Sequence, residues 1–134
     1  MLGLWVMDSS TVLLIDSDDD SIAIYSLILR HHGYAVLMAH DPEAGLRMAF
    51  ENRPQLVIAE VFLPSRGGMQ LIDRIREDQR TAEIPVIILD SMPSFWEELP
   101  DSAGRLRRLT KPCEPSRLLA EVRRLLDPAV RMDQ

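Results

Sequence analysis

Short apolar runs recur along the chain at 12–15, 35–39, 56–59 and 86–89, with a weaker one around 106–109, each rich in Val, Ile, Leu or Ala. None alternates strictly between apolar and polar residues, so each reads as a strand buried on both faces. The segments between them are long enough for helices and carry helix punctuation. Asp41-Pro42 reads as an N-cap followed by a first helical residue, and Gly33 follows a basic Arg30-His31-His32 end. A strand–helix unit repeated five times predicts an α/β fold: a five-stranded parallel sheet, doubly wound, with helices on both faces. A first helix over 19–32 presents Ile22, Tyr25 and Leu29 on one stripe toward the sheet. Ile24 and Ile28 lie on a second side, which suits either a partner or the last helix, over 116–126. The segment between the fourth and fifth strands predicts only a short helix, because Pro93 and Pro100 bracket it; Phe95 and Trp96 there cover the core edge or form an exposed aromatic contact.

Domain organisation follows from the same pattern: an N-terminal extension over 1–10, with Met7 as an alternative start, one domain over 11–127, and a tail over 128–134 beginning at Pro128. The chain has 134 residues, 46% apolar and 27% charged, which suits one globular domain. Its single cysteine, Cys113, excludes an internal disulfide framework and points to a reducing, cytoplasmic setting. The apolar runs are far shorter than the roughly 18–20 residues a membrane span needs. Net charge is -6, which disfavours nucleic acid as a partner of this domain alone. The charge is uneven, however. Residues 1–64 carry nine acids against three bases, while 105–124 carry seven bases against two acids, a segment suited to an acidic protein partner.

In a doubly wound sheet, functional groups gather at the carboxyl ends of the strands. The residues there are Asp16, Glu60, Asp90 and the Thr110-Lys111-Pro112 that follows the fifth run. Carboxylates crowded at one sheet edge raise one another's pKa and attract a cation, either an ammonium or a hard divalent ion.

These stretches, in order, are Val-Leu-Leu-Ile-Asp-Ser-Asp-Asp-Asp at 12–20, Pro-Gln-Leu-Val-Ile-Ala-Glu-Val-Phe-Leu-Pro-Ser-Arg-Gly-Gly at 54–68, Ile-Pro-Val-Ile-Ile-Leu-Asp-Ser at 84–91 and Leu-Thr-Lys-Pro at 109–112. Together they resemble the receiver domain of two-component response regulators, from about Thr11 to Leu126. The resemblance implies strand order 2-1-3-4-5 and a phosphorelay role: two adjacent acids after the first strand bind magnesium, an aspartate ending the third accepts a phosphoryl group from a histidine kinase, a hydroxyl residue ends the fourth, and a lysine follows the fifth. Carried over by residue, Asp16 matches the first acid and Lys111 the lysine, with Pro112 after it in what is often a cis bond. Ser17 stands at the second acid, Glu60 at the phosphoacceptor, Asp90 at the hydroxyl and Arg108 at the switch aromatic.

These departures oppose phosphotransfer. Glu60 displaces its carboxylate by one methylene, Asp90 sets a negative charge against an incoming phosphoryl group, and Ser17 removes a charge from the metal cage. The expectation is a pseudo-receiver: not an enzyme, with no cofactor or only weakly bound Mg2+ at Asp16, signalling by protein contact. Its partner would be a histidine kinase, an effector or a second copy in a homodimer, met through helix one or through the face from the fourth to the fifth helix. Either Glu60 mimics a phosphoryl group beside Lys111, or Glu60 and Asp90 simply neutralise that lysine. The alternative is a working receiver phosphorylated at Glu60 or Asp18, with metal held by Asp16 and Asp90. Asp90 and Arg108 are further expected to form an ion pair across the strand ends. A flavodoxin-like cofactor site is disfavoured, since Asp-Ser-Asp-Asp-Asp opening helix one repels phosphate. The sequence leaves open whether the chain stands alone or belongs to a longer regulator.

Overall fold

A computed structural model describes residues 10–60, 67–90 and 105–127, with the side chains of 67–70 excepted. The strands are β1 (Thr11–Ile15), β2 (Ala35–Ala39), β3 (Leu56–Glu60), β4 (Val86–Asp90) and β5 (Leu106–Thr110), all parallel in the order β2-β1-β3-β4-β5. The helices are α1 (Asp19–His31), α2 (Pro42–Asn52), α3 (Gly67–Glu77) and α4 (Pro115–Leu126). The strand pattern is as the apolar runs predict, with Glu60, Asp90 and Thr110 the last residues of β3, β4 and β5. The short helix expected between the fourth and fifth strands, with Phe95 and Trp96, lies outside the described residues.

Period-two alternation divides the sheet between two cores. Leu13, Ile15, Val57, Ala59, Val86, Ile88 and Leu106 face α2 and α3, meeting Leu46, Ala49, Leu71, Ile72 and Ile75. Val12, Leu14, Leu56, Ile58, Ile87, Leu89 and Leu109 face α1 and α4, meeting Ile22, Tyr25, Leu29, Leu118, Leu119 and Val122. Two-sided burial is why the strands read as continuous apolar runs.

The helix signals act as their chemistry requires. The Asp41 carboxylate accepts from Ala44 N at 2.8 Å with Pro42 opening α2, and Gly33 adopts φ 94° just past α1, where a side chain would be strained. Inside α2, Gly45 lets the helix settle on β1: a Cβ there would stand 2.7 Å from Ile15 Cγ1. On α1, Ile22, Tyr25 and Leu29 are buried as expected. The second side divides in two. Ile28 is partly buried against the core that α1 and α4 share, whereas Ile24 stays 52% exposed.

Candidate functional site

The carboxyl ends of β1, β3 and β5 deliver three side chains to one place. By alternation, Asp16 follows Leu14, Glu60 follows Ile58 and Lys111 follows Leu109, so all three fall on the α1–α4 side of the sheet. Lys111 Nζ lies 3.0 Å from Asp16 Oδ2 and 2.5 Å from Glu60 Oε2. Their side chains are 15%, 2% and 11% exposed respectively, so the triad is largely withdrawn from water. Ser17 closes the outer side, its hydroxyl donating to Glu60 Oε1 at 2.9 Å. Asp18 N donates to Asp16 Oδ1 at 2.8 Å, which engages both oxygens of Asp16.

The electrostatics follow from this packing. Burial pushes the Asp16 carboxyl up to about 6, and a hydrogen bond shared with Glu60 adds to the rise, against the opposing pull of Asp18 N and Lys111. For Glu60 burial also acts upward, but hydrogen bonds with Asp16, Lys111 and Ser17 outweigh it and hold the group below its ordinary range. Burial alone would lower Lys111; its bonds to Glu60 and Asp16 overcome that and raise it. The arrangement is one proton-sharing carboxyl pair clasping one ammonium ion.

The lysine is presented by its own loop. Lys111 N donates to Asp90 O at 2.8 Å, the Lys111–Pro112 bond is cis, and Tyr25 Oη of α1 donates to Cys113 O at 2.8 Å. The Tyr25 contact was not foreseen, because a tyrosine on a core stripe reads as packing and nothing in the spacing marks its hydroxyl's acceptor 88 residues away.

Asp90 differs from the expectation. It is 2% exposed, yet it follows Val86 and Ile88 by alternation and so belongs to the α2–α3 side, opposite the triad. The carboxylates neutralising Lys111 are therefore Asp16 and Glu60, where the sequence offered Glu60 and Asp90. In the register Asp90 stands opposite Thr110 and Arg108 opposite Ile88, so Asp90 and Arg108 are diagonal neighbours, offset by two residues along the strands. Asp18, the alternative phosphoacceptor, is exposed and caps α1, accepting from Asp20 N at 3.2 Å and from Ser21 Oγ at 2.9 Å. Those bonds hold its carboxyl below the usual range.

An Asp–Lys–acid cluster at the carboxyl edge of a 2-1-3-4-5 sheet is the arrangement to compare with known proteins, and the profile of the response regulator receiver domain matches residues 12–123. The chain belongs to this family. The DNA-binding dual master transcriptional regulator RpaA of Synechocystis sp. is 33% identical over 124 residues, which cover 92% of this chain and 52% of that protein. Protein PilH of Pseudomonas aeruginosa is 26% identical over 116 residues, covering 86% of this chain and 96% of that one. The chemotaxis response regulator CheY4 of Vibrio cholerae matches with a TM-score of 0.76 at 25% identity, over 88% of this chain and 99% of that structure. The chain spans about half the length of curated relatives such as RpaA, and 9% of the histidine kinase P4 of Formosa agariphila. Receiver domains are modules of two-component signalling, and this receiver domain has their fold.

Proposed function

We propose that this receiver domain is a pseudo-receiver, signalling by protein contact without taking a phosphoryl group. The observation that carries the reading is the 2.5 Å contact between Glu60 Oε2 and Lys111 Nζ. Under the family resemblance, that lysine would bond the phosphoryl group of a modified aspartate; here a carboxylate already holds it. Charge-assisted pairs of this length are strong when withdrawn from water, so an incoming anion would have to displace Glu60. Asp90 adds a buried carboxylate at the end of β4 where the family has a hydroxyl.

The residues present fit Mg2+ poorly. Both Asp16 oxygens are engaged by Lys111 and Asp18 N, and the hydroxyl of Ser17 donates to Glu60 where a second acid would offer oxygen. Among the described residues no three His, Cys, Asp or Glu side chains gather as a ligand set. Phosphorylation at Asp18 would require loss of the α1 cap. The partners of such a module are proteins, a histidine kinase, an effector or a second copy, met through α1 or through the face of β5 and α4.

The test is incubation with acetyl phosphate, or beryllofluoride, and Mg2+, followed by intact mass and amide spectra. The expected result is unchanged mass and unshifted resonances at Asp16, Glu60 and Lys111. A stoichiometric phosphoryl adduct overturns the reading. The triple variant Ser17→Asp, Glu60→Asp, Asp90→Thr is expected to regain labelling.

A further inference from the structure

Helix α1 carries a second pattern on the side turned away from the sheet. Asp20, Ile24, Leu27 and His31 follow one another at intervals of four, three and four residues, the spacing of a helix-pairing seam. All four are exposed. Ile24 is 52% and Leu27 73% exposed, and among the described residues the other large exposed apolar side chain is Met38, at 37%, on the edge strand β2 beside α1. Arg30 Nη2 reaching Val36 O at 3.4 Å and His40 Nδ1 lying 3.4 Å from Asp19 Oδ1 place that strand alongside the helix. Three of the largest exposed apolar side chains therefore sit on one flank of the molecule.

The ends of the seam differ in chemistry, acids at one and a guanidinium beside a hydrogen-bonding imidazole at the other. Asp19 and Asp20 lie in the first turn of α1, Arg30 and His31 in the last, and the apolar pair lies between them. Such a surface complements itself. Laid antiparallel on a second α1 about a two-fold axis, Ile24 of one copy meets Leu27 of the other, and the same register sets Asp20 opposite His31, with Asp19 beside the Arg30 end. Antiparallel alignment also brings the positive N-terminal end of each helix dipole beside the negative C-terminal end of the other. A parallel pairing would set acid on acid and base on base.

We infer that a second copy of this chain docks here, through an antiparallel, isologous α1–α1 contact centred on Ile24 and Leu27. The inference deepens the contact-based reading above by naming one partner and one face. It does not depend on whether the acidic site takes phosphate, so the two fail separately. A 13-residue helix is about 20 Å long, and a contact of that size falls below the roughly 1,000 Å2 of a stable interface, so the dimer is a concentration-dependent one.

Sedimentation of the full chain from about 10 μM to about 2 mM is expected to show mass rising from monomer toward dimer, the range in which small interfaces exchange. Leu27→Glu, which sets two carboxylates about the axis on an exposed position, is expected to stay monomeric throughout. Register is read separately by oxidative cross-linking in a Cys113→Ser background. Mixed Ile24→Cys and Leu27→Cys chains are expected to cross-link at least fivefold faster than either variant alone. Wild-type protein that remains monomeric at 2 mM overturns the proposal. So does a dimer that survives Leu27→Glu, or cross-linking faster within each single variant than between them.

Discussion

Replacing Lys111 by methionine keeps the stem of the side chain and removes the ammonium group between Asp16 and Glu60, and the structure sets both the size and the pH course of the effect. Breaking a buried ion pair from one side costs about 3–5 kcal/mol. Residual exposure of 15% at Lys111 and 11% at Glu60 brings the expected loss for Lys111→Met to about 2–4 kcal/mol at pH 8. Asp16, raised from 3.8 to about 6, favours folding while protonated; that contribution is complete below pH 3.8 and lost as pH rises through about 6. Glu60, lowered, acts oppositely: its contribution is present above its ordinary pKa and lost as pH falls through the lower folded value. Lys111 hydrogen bonds pull both carboxyls down, so removing them lets the pair hold one proton to higher pH. The loss should therefore widen by about 1–2 kcal/mol between pH 6 and pH 8, given 1.36 kcal/mol per pH unit for one proton. Urea unfolding followed by far-ultraviolet circular dichroism at a series of pH values measures this, and Glu60→Gln added to Lys111→Met should recover most of the loss at pH 8. An equal loss at pH 6 and pH 8, or a larger one at pH 6, refutes the description of the three groups as one coupled cluster.

Two further outcomes are expected. Ser17→Asp replaces a donor to Glu60 by a third carboxylate and should destabilise the domain by about 1–2 kcal/mol at pH 8, less at pH 5, in the same unfolding assay; an unchanged midpoint would show that the 2.9 Å contact contributes nothing. Gly45→Ala forces a methyl group against Ile15 in a filled core and should lower stability by about 1–3 kcal/mol at any pH, and a thermal midpoint equal to the wild type would mean that α2 lifts without strain.

The fold was legible because a parallel sheet buried on both faces leaves short runs of Val, Ile and Leu that nothing else in the chain imitates, and because Asp41-Pro42 and Gly33 mark helix ends by local chemistry. The site was legible to the level of which strands end in charge. It was not legible which charges meet, because that depends on side-chain parity within each strand. Glu60 and Asp90 both end strands, yet one falls with Ile58 and the other with Ile88, on opposite faces. Register is hidden in the same way: adjacency of strands does not say that Asp90 stands opposite Thr110, with Arg108 two residues back along β5. Leu27 escaped notice because Ile24 and Ile28 look like one stripe in sequence, while in the helix Ile28 is partly buried against the core and Ile24 is exposed with Leu27.

The departures from the family pattern are not independent losses. Glutamate carries its carboxylate roughly one carbon–carbon bond farther from the strand than aspartate would, which misplaces it as a nucleophile on the scale that matters for rate. The same extra reach places Oε2 2.5 Å from Lys111 while Oε1 accepts from Ser17 at 2.9 Å. An aspartate at 17 would repel that carboxylate, whereas serine donates to it. Burial lifts Asp16 to about 6, and one ammonium ion, one hydroxyl and the Asp18 N–H between them meet all four oxygens of the pair. Ser17 and Glu60 thus suit each other in a closed cluster. Restoring only one of them to aspartate leaves either a carboxylate facing a carboxylate or a hydroxyl without its acceptor, and for that reason recovery of phosphoryl chemistry is expected only when both are changed together with Asp90.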